Sequence, residues 1–285
     1  MSIETPADAT AAKSGNAATE SFRQSGKLNR VAASTERVNR LASRLVKAAN
    51  DIILEERVSY DEFNALKAWL IKVGEDGEWP LFLDVWLEHS VEEVATDHRE
   101  GNKGSIEGPY YVPEAPTQQS PATISMREDE KGTKLLFQGQ VRSTDGSALQ
   151  DAKIELWHAD EEGFYSQFAP GIPEWNLRGT FLVDAEGNFQ INTMQPAPYQ
   201  IPTDGACGQL IAAAGWHAWR PAHLHLKVSA PGHELLTAQL YFPGDEHNDD
   251  DIASAVKPEL MLDIQPATSG VGNQVTYDFV LDPVK

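Results

Sequence analysis

From Ser34 onward the apolar residues Val38, Leu41, Leu45, Ala48 or Ala49, and Ile52 recur at steps of three and four, the spacing of a single stripe along an α-helix. A second helix is predicted from Ser59, because Ser59-Tyr60-Asp61-Glu62 has the form of a capping box. Phe63, Leu66, Trp69, Leu70 and Val73 supply its stripe, and Gly74 is placed to end it. A third helical segment is predicted over 79–95, with Pro80 in its first turn. Leu81, Leu83, Val85, Trp86 and Leu87 make that segment apolar on most sides, which predicts burial. Asp84 interrupts the run and reads either as a local turn former or as a polar group facing a pocket. After Asp97 the pattern changes. Gly101, Gly104, Gly108, Pro109, Pro113 and Pro116 punctuate a long loop, and beyond it the period is two. Strands are predicted over 135–141, 154–158, 180–183, 189–193, 223–228, 236–242 and 275–281, with turns at Asp145-Gly146 and 184–188. Helices first and many short strands afterwards predict an α+β chain: a helical domain over 31–105, then an all-β sandwich over 106–285. Residues 1–30, rich in Ala, Thr and Ser at their start, are expected to be a poorly ordered leader.

Composition narrows the partners. With 285 residues and 41% hydrophobic content the chain has ample core for an ordinary globular protein. A formal charge of −20 opposes contact with a phosphate backbone, so a nucleic-acid partner is excluded. One cysteine, Cys207, forbids an intrachain disulfide and fits a small residue in a loop between Gly205 and Gly208. No apolar run is long enough to span a bilayer, and the start of the chain lacks the apolar centre of a secretory signal. A cytoplasmic protein that is not integral to a membrane is expected. Against the acidic background, Arg23, Lys27, Arg30, Arg37, Arg40, Arg44 and Lys47 face only Glu36. That local excess reads as a solvated helix face; a site for an anionic lipid is the sharper alternative.

Candidate chemistry centres on Arg220-Pro221-Ala222-His223-Leu224-His225. On a strand, His223 and His225 share one face, and Leu224 and Leu226 turn to the other. Two imidazoles on one face are half of a metal site, or simply a pair of histidines hydrogen-bonded in the fold; spacing alone leaves both open. Four further histidines, His158, His217, His233 and His247, lie in the strand-rich part. The next acid after His225 is Glu234, too far along for a cupin site, and one cysteine rules out a multi-cysteine zinc site. A two-histidine, one-carboxylate iron site remains open. Two tyrosines have distinctive settings. Tyr165 follows a turn, and Tyr199 lies in the proline-rich Gln195–Pro202, which cannot be a central strand. Either alone reads as packing.

Taken together, several stretches resemble the intradiol ring-cleaving dioxygenases, most closely the catechol 1,2-dioxygenases. They are I-E-G-P-Y-Y (106–111), W-H-A-D-E-E-G-F-Y-S (157–166), N-L-R-G (176–179), P-A-P-Y-Q-I-P-T-D-G (196–205), W-R-P-A-H-L-H (219–225), S-A-P-G-H (229–233) and T-A-Q-L (237–240). The order is the family's, and the likeness runs from the first helices to the C-terminus.

That resemblance implies one non-haem Fe(III) per subunit, held by Tyr165, Tyr199, His223 and His225. Hard phenolate oxygens suit a ferric ion, and two phenolates with a hydroxide balance its charge. The implied reaction is cleavage of catechol by O2 to cis,cis-muconate, with both oxygen atoms incorporated. Tyr199 matches the tyrosine that takes a substrate proton, and Arg220 the arginine that stabilises charge on the ring. Gln239 matches a hydrogen-bonding residue beside the metal. Leu81, Asp84, Val85, Ile106, Pro109, Tyr110, Ile252 and Ala253, with Arg220, match the substrate-binding walls. Asp84 and Tyr110 stand where family members with other diols vary, so chlorocatechol and hydroxyquinol are alternative substrates. A different class, a metal-free transthyretin-like binding module on the same sandwich, is the remaining rival. The helical domain is implied to pair two subunits into a homodimer around phospholipid.

Overall fold

The computed structural model describes residues 33–284, so the expected leader lies outside the described residues. Helix α1 (Thr35–Glu55) starts where Ser34 accepts a hydrogen bond from the Arg37 N–H, and its apolar stripe is left exposed. Helix α2 (Tyr60–Asp76) begins with the predicted capping box: Ser59 accepts from the Glu62 N–H while the Glu62 carboxylate accepts from the Ser59 N–H. It ends at Gly77, not Gly74. Gly77 has φ +73°, the left-handed geometry a glycine tolerates, whereas Gly74 stays helical with the Trp79 indole packed against it.

The predicted third helix is two. Helix α3 (Trp79–Trp86) and helix α4 (Glu88–Thr96) meet at Leu87, and only Leu81 and Val85 of the apolar run are buried. Leu83 and Leu87 are exposed, correcting the expectation of all-round burial. The break turns Glu88 back to the loop beyond α4, where its carboxylate accepts from the N–H groups of Glu107 (2.9 Å) and Gly108 (3.3 Å).

Strands β1 (Thr117–Gln119), β5 (Arg178–Leu182), β4 (Lys153–Trp157), β9 (His223–Ser229) and β10 (Leu236–Tyr241) line up in that order as one sheet. The facing sheet runs β11 (Ile264–Pro266), β12 (Asn273–Thr276), β3 (Lys134–Ser143), β6 (Asn188–Met194) and β2 (Ala122–Thr123), and β13 (Phe279–Leu281) also pairs with β3. The last predicted strand is thus split, around Tyr277 and Asp278. Leu156, Leu224, Leu226 and Leu240 meet Phe137, Ile191 and Phe279 between the sheets. Each such side chain withdrawn from water contributes about 1.5–3 kcal/mol. A separate two-stranded ladder joins β7 (Tyr199–Gln200) to β8 (Trp219–Arg220).

Between β7 and β8 lies a helix, α5 (Ala206–Ala214), where a loop around Cys207 was expected. Its first turn is capped from far away, since the buried Glu78 carboxylate accepts from the Cys207 N–H at 2.8 Å. Trp69 of α2 donates its indole N–H to Ala206 O at 2.7 Å, so the helical layer is fastened to the same spot.

Candidate active site and metal centre

The period of two delivers what the His-Leu-His spacing promised. Leu224 and Leu226 enter the core between the sheets, and His223 and His225 emerge on the opposite face, buried, with their Nε2 atoms 3.0 Å apart. The Tyr165 hydroxyl lies 3.0 Å from His225 Nε2 and hydrogen-bonds the Tyr199 hydroxyl. Tyr199 lies beside His223, ring centroids 5.6 Å apart. All four sequence-predicted ligands therefore converge, although they come from three separate parts of the chain.

Each is held by its own neighbours. His223 Nδ1–H donates to Pro221 O at 2.7 Å, which fixes its tautomer and leaves the Nε2 lone pair facing inward. Trp157 stacks on His225, centroids 4.9 Å apart and planes 10° from parallel. Tyr110 stacks on Tyr165 at 4.2 Å and 4°. The turn before Tyr165 is organised by Asp160, whose carboxylate accepts from the N–H groups of Glu162 (3.1 Å) and Phe164 (2.9 Å). Gly163 within it has φ +84°, and a Cβ there would come within 2.8 Å of Tyr199 Cβ, so the two tyrosine segments touch only because this residue is glycine.

Electrostatics matches a cation site. Burial lowers the His223 imidazole to about 3, and the neighbouring Arg220 charge adds to this; His225 is also held well below its ordinary value, by burial and then by His223. Both rings are therefore neutral. Burial likewise pushes the Tyr165 and Tyr110 phenols well above their ordinary value, and raises Tyr199 although Arg220 works against it. Without a cation the phenols stay protonated; a highly charged ion among them reverses that balance. Two phenol oxygens able to lose their protons to a metal and two neutral imidazole nitrogens, all buried and converging, fit a hard ferric ion.

Arg220 and Gln239 join the same network. Arg220 Nε and Nη2 each donate to Asp251 at 3.0 Å, and Nη2 also donates to Gln239 Oε1 at 2.8 Å. Gln239 Oε1 accepts in addition from the Tyr241 hydroxyl at 2.7 Å, and its amide donates to Ile106 O at 3.0 Å. With both ends engaged, the amide stands 3.2 Å from His225 Nδ1.

The expected walls are brought together only in part. Leu81, Val85, Ile106, Tyr110 and Ala253 are buried in one cluster with Tyr165 and Tyr199, Ile252 packs against it, and Pro109 is buried in sequence between Gly108 and Tyr110. The cavity that opens onto Tyr165 and Tyr199, about 590 Å³, is lined instead by Tyr110, Phe164, Phe168, Pro202 and Trp219 among others. Of the expected walls only Tyr110 lines it. Asp84 is half-buried away from this opening. Burial, then Glu88 and Glu107, raises it to about 7.

Sequence reasoning missed two residues. Arg178, fully buried and without a carboxylate partner among the described residues, donates to Ser166 Oγ (2.9 Å), Ser166 O (3.1 Å) and Tyr110 O (2.7 Å), and so locks the segment carrying Tyr165 to the one carrying Tyr110. Burial lowers it to about 10. Its signal in the sequence is the motif N-L-R-G at 176–179, which by itself assigns no role to the arginine. Asp251, the partner of Arg220, was hidden in a run of aspartates. Conversely His158 is a core histidine, bonded to Ala159 O and the Thr193 hydroxyl at 2.7 Å each.

Residues 106–283 match the dioxygenase family model, and residues 35–103 match the model for the catechol dioxygenase N terminus. The chain belongs to the intradiol ring-cleaving dioxygenases. A chlorocatechol 1,2-dioxygenase of Rhodococcus opacus is 38% identical over 231 residues, 80% of this chain and 90% of that protein. A catechol 1,2-dioxygenase of Acinetobacter baylyi is 34% identical over 237 residues, 79% of this chain and 74% of its own length. The crystal structure of 3-chlorocatechol 1,2-dioxygenase from Rhodococcus opacus superposes with a TM-score of 0.85 at 45% identity, covering 88% of this chain and all of that one. As a dioxygenase of this family the chain is an oxidoreductase on an α+β frame, and the binding-module reading is set aside. Among the described residues no helix is long and apolar enough to cross a membrane.

Proposed function

We propose that this dioxygenase binds one Fe(III) per subunit through Tyr165, Tyr199, His223 and His225 and cleaves catechol with O2 to cis,cis-muconate. The observation that carries the reading is the convergence of two phenols and two neutral imidazoles at one buried point. Bound there, the ion would act as a Lewis acid that orients the diol and favours its ionised form.

The chain's own residues supply the rest. Tyr199 Oη is the base for one catechol proton, and the Arg220 guanidinium beside it stabilises the charged forms of phenol and diol. Arg220 stays charged while buried: burial opposes the charge, but Asp251 and Tyr199 raise its pKa well above the ordinary value. Gln239 holds both Arg220 and the Ile106 segment in register, and Tyr110 walls the cavity against water. We assign the substrate to the buried side of Tyr165 and Tyr199, inward of that cavity, through Arg220 and the walls Leu81, Asp84, Val85, Ile106, Pro109, Tyr110, Ile252 and Ala253.

A second reading, a chlorocatechol as the preferred diol, is favoured by the fuller coverage of the Rhodococcus relative than of the Acinetobacter one. Competition among catechol, 4-chlorocatechol and hydroxyquinol in one assay, ranked by kcat/KM, separates them. Catechol is expected to be turned over efficiently; a kcat/KM tenfold or more below 4-chlorocatechol replaces the first reading with the second.

The exposed stripe Val38, Leu41, Leu45 and Ile52 supports a homodimer, with a 300 Å³ groove along Phe63, Leu66, Leu70 and Ile71 open to phospholipid chains. The cytoplasm is the compartment consistent with a single cysteine. Leu45→Glu places a charge on the most exposed of the stripe residues and is expected to convert the dimer to monomer in sedimentation velocity; an unchanged dimer removes α1 from the interface.

A further inference from the structure

We propose that His217, His247 and Asp250 form a second metal site, for a divalent transition metal of the zinc class, on the outer side of the cavity wall. His217 Nε2 lies 3.3 Å from Asp250 Oδ2, His247 Nδ1 lies 3.1 Å from Asp250 Oδ1, and all three donors fall within 4.8 Å of one another. Donors held ~2.1 Å from zinc at the tetrahedral angle are roughly 3.4 Å apart, so little movement is needed. The two imidazoles select against calcium and magnesium, which want oxygen. His247 is nearly buried while His217 and Asp250 are half-open, an arrangement that leaves coordination positions for water.

The surrounding loop concentrates negative charge: Asp245, Glu246, Asp249, Asp250 and Asp251. Asp245 is taken up by the N–H groups of Ala222 and His247, and Asp251 by Arg220. Asp250 is turned to the imidazoles instead.

Proton placement ties this site to the cavity. The Trp219 N–H donates to His217 Nδ1 at 3.1 Å, so the neutral ring carries its proton on Nε2, facing Asp250. A metal on Nε2 takes that proton's place, the ring then carries a proton on Nδ1, and Trp219 loses its acceptor. On His247 the displaced Nδ1 proton is carried on Nε2. The Trp219 indole also stacks on His247, 5.2 Å away and 8° from parallel, and lines the cavity. Metal uptake therefore acts on Trp219 through both its backbone and its ring.

The test is calorimetric titration of the iron-loaded protein with ZnCl2, with tryptophan emission and the visible band followed together. The expected result is one Zn2+ per subunit beyond the iron, a change in emission, and an undiminished visible band. His247→Ala and Asp250→Asn are expected to weaken uptake at least about tenfold and to remove the emission change. Asp250→Asn keeps the side chain's shape, so it tests the site even if the alanine variant folds poorly. Absence of uptake, equal uptake by the variants, or loss of the visible band in step with zinc would each overturn the proposal, the last because the zinc would then be at the iron ligands.

Discussion

Tyr165→Phe is expected to fold, to lose its iron and ligand-to-metal colour, and to cleave catechol at least about 1,000-fold more slowly, since a ligand's loss forfeits several kcal/mol of metal-supplied stabilisation. The substitution deletes one oxygen and keeps the ring. The stack on Tyr110 at 4.2 Å and the turn set by Asp160 are untouched. In the metal-free chain the lost hydroxyl forfeits hydrogen bonding to His225 and Tyr199, worth about 1 kcal/mol, and a melting point lower by only roughly 2–4 °C. Folding and iron binding thus separate cleanly. Iron content per subunit and the visible spectrum are the primary readouts. A variant that retains stoichiometric iron and an unchanged spectrum removes Tyr165 from the ligand set, whatever its activity. Tyr199→Phe is the informative companion, because Tyr199 is assigned a proton as well as a ligand bond.

The parts of this arrangement that sequence reveals are those fixed by local geometry. The capping box at Ser59 and the alternation through His223-Leu224-His225 depend on residues a few positions apart, and both are found as read. What was misread depends on partners distant in the chain. Helix α5 carries no capping side chain of its own, because Glu78 provides it from more than a hundred residues away. The break at Leu87 follows from where Glu88 must reach, the N–H groups of Glu107 and Gly108. Gly74 looked like a helix end when its small size in fact admits Trp79. The candidate metal ligands are a mixed case: periodicity supplies the two histidines, but Tyr165 follows a turn and Tyr199 lies in a two-residue strand, too short to show a period, and the family's motifs alone assign them.

The buried charges follow the same rule. Arg178 and Arg220 are similar in burial, yet one is bound to neutral oxygens and the other to a carboxylate. The first clamps the Tyr165 loop, its pKa lowered by burial to about 10 and its charge intact at neutral pH; the second is held charged beside Tyr199 by Asp251. Neither pairing was legible, since Ser166 stands 12 residues from Arg178 and Asp251 stands 31 from Arg220, beyond any local pattern.

Arg220→Leu is expected to be damaging in two separable ways. Removing the guanidinium leaves Asp251 buried without its counter-charge, which costs about 3–5 kcal/mol and lowers the melting point on the order of 10 °C. The pH dependence should also change sign. In the parent, burial pushes the Asp251 carboxyl up, but Arg220 outweighs it and holds the value below the ordinary carboxylate range. Its contribution to stability is present above about pH 3.9 and is lost as pH falls through the lower folded value. In the variant only the weaker hydrogen bonds from the Ala253 and Ala255 N–H groups oppose burial, the folded value is expected to rise above the unfolded one, and stability then falls as pH climbs between them. Arg220→Leu/Asp251→Leu replaces both charges with apolar side chains and is expected to recover most of the melting point. It should not recover catalysis, because the positive charge beside Tyr199 is still missing; a loss of at least about 100-fold in kcat is expected for both variants. Thermal melts across the acid range and single-turnover rates measure the two effects independently. If the double variant regains turnover along with stability, Arg220 serves only to neutralise Asp251 and has no part in cleaving the ring.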